Sequence, residues 1–190
     1  MQILFLMADG FEETEFVTPF DYFQRAGFSV TLASVSGKPD VEGLHGLKIK
    51  ADVALAGLDL APFDAVCLPG GGIGVRNLKA SADVEKTVCA FADAGKRLFA
   101  ICAAPLVLSK AGLLVDRMAT CFPGCEVELV CNKFVEDRVV VDGNIVTSRG
   151  AGTAEEFAFE CIAQMGGREL SEKIRQQVVP RPHGPGEWRR

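Results

Sequence analysis

Histidine is nearly missing from this 190-residue chain: only His45 and His183 occur. A Cys peptidase or a glutamine amidotransferase needs a His beside its nucleophile as base, so the scarcity weighs against both. Basic charge is also short, with 20 Lys and Arg against 25 Asp and Glu and a formal charge of −5. That balance leaves no electrostatic footprint for nucleic acid. No apolar run approaches the length of a membrane span. The opening MQILFLMADGFEE lacks the basic end and cleavage region of a secretion signal, so a cytoplasmic protein is expected. No Gly-Lys-Ser/Thr follows the glycine run Gly70-Gly71-Gly72, which removes the phosphate-loop reading. Internal repeats and linkers are absent too.

Cysteine, by contrast, is plentiful: Cys67, Cys89, Cys102, Cys121, Cys125, Cys131 and Cys161. An odd count without a secretion signal points to reduced thiols rather than a disulfide framework. Most sit in apolar company and read as small core residues. Cys121, Cys125 and Cys131 lie close together, but their spacing matches no zinc pattern and neither His is near, so no metal is expected.

A length of 190 residues with 48% hydrophobic content suits one domain with a large core. Gln2–Met7 is a continuous apolar run, the mark of a buried parallel strand. A helix over Glu12–Arg25 follows, and then a strand over Phe28–Ala33, which together make a βαβ unit. Further strands are expected at 47–50, 63–68, up to Cys102, and at 118–121, with a meander over 135–147 turning at Asp142-Gly143. Helices are expected over 82–95, 152–165 and 170–178, the second opening at Thr153 with Glu156 completing a capping box. The expected fold is an α/β three-layer sandwich around a mainly parallel sheet. The domain covers 1–179, and 180–190, rich in Pro, Gly and Arg, reads as a disordered tail.

The segment Arg97–Gly112, RLFAICAAPLVLSKAG, carries the main chemical signal. An apolar run stops at Cys102 and helix-compatible sequence resumes at Pro105, the pattern of a nucleophile elbow. Free N–H groups at the helix start favour an anion there, so the thiol is expected to be acidified. A structural Cys buried at a strand end explains the same pattern. In open α/β sheets ligands bind beyond the carboxyl ends of the strands, which places Ala8–Glu15 and Pro69–Gly74 beside Cys102. Glu12 and Glu13 suit the positive end of a helix dipole. Glu15 differs because Pro19, four residues on, leaves its carbonyl without a helical partner, and the resulting deformation can turn its side chain inward. A carboxyl beside a thiolate is expected to keep its proton and hydrogen-bond the sulfur, the two titrating as a pair. Gly70–Gly72 permit an oxyanion site, or simply a flexible turn. His45, in the loop Gly43-Leu44-His45-Gly46, either reaches this site or is a solvated loop residue.

These residues together resemble the ThiJ/PfpI superfamily, in the branch of the parkinsonism-associated deglycase (DJ-one) and its bacterial relatives. The resemblance rests on Asp9-Gly10-Phe11-Glu12-Glu13-Thr14-Glu15, Leu68-Pro69-Gly70-Gly71, Ala100-Ile101-Cys102-Ala103-Ala104-Pro105 and Thr147-Ser148-Arg149-Gly150. It implies a flavodoxin-like homodimer in which Cys102 is the reactive, oxidisable thiol and Glu15 its protonated partner. Gly71 and Ala103 would give backbone N–H groups near the sulfur, and Asp21 and Arg25 resemble a charged pair near the dimer interface. Two positions depart from the branch: a His often precedes the residue equivalent to Pro123, where this chain has Phe122, and a basic residue of the interface falls at His45. The peptidase branch places His directly after its Cys, and here Ala103 stands there. The implied activity is a cofactor-free, Cys-dependent glyoxalase or deglycase acting on small 2-oxoaldehydes or glycated protein. The alternatives are an oxidation-sensing protein or chaperone using the same Cys and, more weakly, an amidase or peptidase.

Overall fold

A computed structural model describes residues 1–180; the expected tail, with His183, lies outside the described residues from 181 onward. In chain order the elements are β1 (Gln2–Met7), α1 (Glu13–Arg25), β2 (Ser29–Ser34), β3 (Asp40–Glu42), β4 (Lys48–Lys50), β5 (Val53–Ala54), β6 (Ala65–Leu68), α2 (Gly72–Ala80) and α3 (Ala82–Asp93). They continue with β7 (Arg97–Ile101), α4 (Pro105–Lys110), β8 (Met118–Ala119), β9 (Lys133–Phe134), β10 (Val139–Asp142), β11 (Ile145–Ser148), α5 (Ala154–Gly166) and α6 (Arg168–Val178).

Seven strands form one sheet in the order β10-β11-β7-β6-β1-β2-β5. All its neighbours are parallel except the β10–β11 hairpin. The register of β1 on β2 pairs Gln2 with Ser29 and Met7 with Ser34, as a βαβ crossover requires. Helix α5 packs on both α1 and α6, and α2 contacts α3 and α4, giving the expected three layers. Because both faces are covered, the central strands are apolar throughout: Ile3–Met7, Ala65–Leu68 and Leu98–Ile101 are all buried. The chain moves outward from β1 to β2 and β5, then returns to place β6 on the other side of β1. This reversal opens a crevice at the carboxyl ends of β1, β6 and β7.

Some local expectations change. Helix α2 starts directly from the glycine run, where the sequence showed only a turn. The strand at Lys48–Lys50 finds its partner in β3, forming a small antiparallel ribbon apart from the main sheet. The 118–121 strand shortens to Met118–Ala119 and pairs with β9. The hairpin turn is centred on Gly143 and Asn144, with Asp142 opposite Ile145. The capping box at Thr153 does not form. Its hydroxyl is drawn to the Gly150 backbone at 2.8 and 3.1 Å and to Ser148 Oγ at 2.6 Å, while Glu156 pairs with Arg138 at 2.7 Å.

Candidate functional site

Cys102 directly follows β7 and lies in the left-handed region, with φ +66°. Among the described residues only Val179 shares that feature outside glycine. The conformation costs on the order of 1 kcal/mol or more and persists only where neighbours fix it. They do: the Cys102 N–H donates to the Ser148 carbonyl at 2.8 Å, and the Phe122 N–H donates to the Cys102 carbonyl at 2.8 Å. The sharp turn required of an elbow is therefore present. Helix α4 then begins at Pro105, a residue suited to a first helical position. At six residues α4 is too short for much dipole, so local N–H groups act on the sulfur. Those of Gly71 and Ala103 face Cys102 Sγ.

Glu15 reaches the same place from α1. Its side chain is only 1% exposed. Glu15, Phe16, Pro19, Tyr22 and Phe23 form the buried stripe of a continuous helix, and the Glu12 carboxylate caps its start by accepting from the Glu15 N–H at 2.7 Å. Helical spacing, rather than the expected deformation at Pro19, turns the carboxyl inward. Oε2 accepts from the Gly70 N–H at 2.9 Å. Gly70 has to be glycine, because a Cβ there would collide with Glu15 Oε2 and with the Cys102 side chain. The opposite oxygen, Oε1, lies toward Gly150, which the Phe122 ring also approaches.

Burial raises the Glu15 carboxyl to about 7, offset in part by hydrogen bonds from Cys102, Gly70 and Ala151 and reinforced by the charge of Glu12. The expected simple acidification of Cys102 is not found. Burial pushes the thiol up, and so does the Glu15 carboxylate, whereas the N–H groups of Gly71 and Ala103 draw it down. The like charges cannot both form, so the pair shares one proton above about pH 7. A proton on Glu15 removes the carboxylate charge that opposes the thiolate.

His45 stands apart. Its ring is exposed, and its Nδ1 pairs with Glu13 Oε2 at 2.8 Å; its backbone N–H donates to Glu13 Oε1. Among the described residues no His hydrogen-bonds Cys102. Glu12, Glu13 and His45 are the one trio there close enough together for a shared cation, but capping and the His45 bonds already engage them. Cys121, Cys125 and Cys131 form no such group, and all seven cysteines are free. Asp21 and Arg25 make an exposed pair at 2.6 Å. The contributions of Ser148 and Ala151 come through backbone groups, which leave no mark in the identity of a side chain.

A sequence model of the DJ-1/PfpI family matches residues 1–164. The chain belongs to the DJ-1/PfpI family. Drosophila melanogaster Protein dj-1beta is 38% identical over 178 residues, covering 93% of this chain and 95% of that protein. Its crystal structure superposes with a TM-score of 0.89 over 94% of this chain and 97% of that one, at 36% identity. Protein DJ-1 homolog B of Arabidopsis thaliana is 39% identical over 188 residues, 98% of this chain, but this chain spans only 43% of its length. The structure of oxidised Toxoplasma gondii DJ-1 matches at 32% identity with a TM-score of 0.89, covering 94% of this chain and 97% of that one. The DJ-1/PfpI fold is thus shared along almost all the described residues. No helix among them is long and apolar enough to cross a membrane.

Proposed function

We propose that this protein is a Cys102-dependent, cofactor-free glyoxalase or protein deglycase acting on 2-oxoaldehydes or their adducts. The observation that carries the reading is Cys102 held at positive φ between the Glu15 carboxyl and the N–H groups of Gly71 and Ala103. A carboxyl raised to about 7 both accepts and donates a proton near neutrality, as acid–base catalysis needs.

Cys102 Sγ attacks the aldehyde carbon and its proton passes to Glu15. A C–S bond forms as the carbonyl π pair moves onto oxygen, which the Gly71 and Ala103 N–H groups stabilise. Proton return gives a hemithioacetal. Glu15 then takes the C1 hydrogen as a proton and delivers one to C2 through an enediol, leaving a 2-hydroxy thioester. Water cleaves the C–S bond and releases the 2-hydroxy acid and the thiol. Substrate plus water equals product, so no oxidant or reductant is consumed. On a hemiaminal-type adduct Cys102 Sγ would instead displace the amine at C1: the C–S bond forms, the C–N bond breaks, and the protein amine leaves with the proton that Glu15 took from the thiol, giving the same hemithioacetal.

Lactate formed from methylglyoxal tests the scheme. Cys102→Ser and Glu15→Gln are each expected to lower turnover by about a hundredfold or more. Wild-type turnover in either folded variant would overturn it.

The second reading is oxidation sensing, favoured by the Gly71 and Ala103 N–H groups, which suit sulfinate oxygens, and by the oxidised state of the Toxoplasma gondii relative. Two molecules of peroxide would supply the two oxygens and leave as water. Mass spectrometry after mild peroxide is expected to find both oxygens on Cys102; unmodified Cys102 would remove this reading. Peptidase action is disfavoured, since Ala103 follows the Cys and His45 is engaged by Glu13. Either chemistry suits a reducing cytoplasm and a homodimer.

A further inference from the structure

We propose that Phe122 is the specificity-determining residue of this site and directs it toward 2-oxoaldehydes bearing a flat, apolar substituent. The inference rests on the glyoxalase reading and narrows its substrate class.

The position of Phe122 is fixed through the backbone. Phe122-Pro123-Gly124-Cys125 is a reverse turn closed by the Cys125 N–H donating to the Phe122 carbonyl at 2.9 Å. Gly124 at φ 91° and ψ −18° supplies the positive φ that a type II turn needs at its third residue. The Phe122 N–H is bound to the Cys102 carbonyl, so the turn is tied to the nucleophile's own peptide. No side-chain atom takes part in either bond.

The ring then reaches Gly150, which Glu15 also faces. Its Cδ2 and Cε2 are 3.2 and 3.6 Å from the point where a Cβ on Gly150 would stand, and Glu15 Oε1 is 3.7 Å from that same point. Gly150 leaves open the space that the ring and the carboxyl both border. Glu15 thus presents one oxygen to the Gly70 and Cys102 side and the other toward Gly150, which the Phe122 ring borders. Phe122 is nevertheless 47% exposed, whereas Phe5, Phe11, Phe23, Phe91, Phe99 and Phe157 are fully buried. A half-open ring that shares the Gly150 space with the proton-transfer group offers apolar area that is covered only when something packs on it. A flat substituent attached to C2 of the oxoaldehyde does so by offset stacking, and a methyl group covers little of it. Phe122 exchanges no proton, so its effect falls on the choice between substrates.

Two paired measurements test this on the full chain. The first compares kcat/KM for phenylglyoxal and methylglyoxal. The second compares alkylation of Cys102 by phenacyl bromide and bromoacetone, each rate divided by that with free glutathione; it needs no turnover. In the wild type both ratios are expected to favour the aromatic reagent, and Phe122→Ala is expected to lower each by about tenfold. Phe122→Leu, which keeps bulk without a flat face, is expected to fall between them. Both variants retain the backbone bond to Cys102. If the alkylation ratio falls while neither oxoaldehyde is turned over by the wild type, the glyoxalase reading fails and the role of Phe122 in selecting ligands stands. If Phe122→Ala leaves the alkylation ratio unchanged, Phe122 does not set specificity, whatever the turnover.

Discussion

Glu15 is asked to be both buried and titratable, and its effect on stability has a definite sign. Its carboxyl moves from an ordinary value of 4.5 to about 7 in the folded protein. Between those values the folded chain holds a proton that the unfolded chain releases. The stability this group contributes is complete below 4.5 and is lost as pH rises through about 7, a change of about 3 kcal/mol. Glu15→Gln removes the titration while keeping an oxygen for the Gly70 N–H. Urea unfolding at pH 5 and pH 8 is therefore expected to show the wild type losing about 2–3 kcal/mol relative to Glu15→Gln at the higher pH. Equal shifts in the two proteins would mean that the carboxyl is not raised. Turnover runs the other way: the proton-accepting form grows in through about pH 7, so kcat/KM is expected to rise there. Stability and activity are in opposition at this one side chain.

The turn between β6 and α2 is where backbone geometry and site geometry are inseparable. Gly71 sits at φ +94°, and a Cβ on it would strike the Gly10 carbonyl and come within 2.7 Å of the Glu12 nitrogen. Both obstacles are backbone and cannot move aside cheaply. Gly71→Ala is expected to cost about 2 kcal/mol or more and to displace the N–H that faces Cys102. Thermal unfolding reads the first effect and the alkylation rate of Cys102 the second; an alanine tolerated on both counts would remove Gly71 from the site. Elements of this region differ in how readily they could be read. The continuous apolar runs of β1 and β7 announce themselves, and Cys102 at the end of β7 did so with them. Helix α2 contains Gly72 and Gly74, poor helix formers; Gly74 packs on Gly10 and donates to its carbonyl at 2.9 Å, where a Cβ would strike Gly10 and Phe11. That contact is tertiary and has no local trace. The inward turn of Glu15 was legible, but through helical spacing rather than through Pro19. The same limit applies at Thr153, whose hydroxyl was claimed by Ser148 and Gly150 across the β11–α5 junction.

At the scale of the whole molecule, we propose that the outer stripe of α1 meets a second copy. Val17, Asp21 and Arg25 follow one another at four-residue intervals on the side opposite the buried Glu15, Phe16 and Phe23. Val17 is 44% exposed, and the Asp21–Arg25 pair at 2.6 Å neutralises itself. A face with one apolar residue and an internally balanced pair can be covered without stranding a charge, which matters for chains that each carry −5 and repel one another. We therefore expect a homodimer through α1, with a solution mass twice the 20.3 kDa of the chain. Val17→Arg adds an unpaired charge to both sides of a symmetric contact and is expected to yield a monomer by light scattering. Arg25→Ala gives the sharper reading. In a monomer it removes only a helix pair worth a few tenths of a kcal/mol, so the melting temperature hardly changes. In a dimer it leaves Asp21 without its partner in both copies, and the melting temperature falls more steeply as the protein is diluted. A wild type that runs as a monomer at every concentration would place α1 in solvent and leave Cys102, Glu15 and Phe122 to act within a single chain.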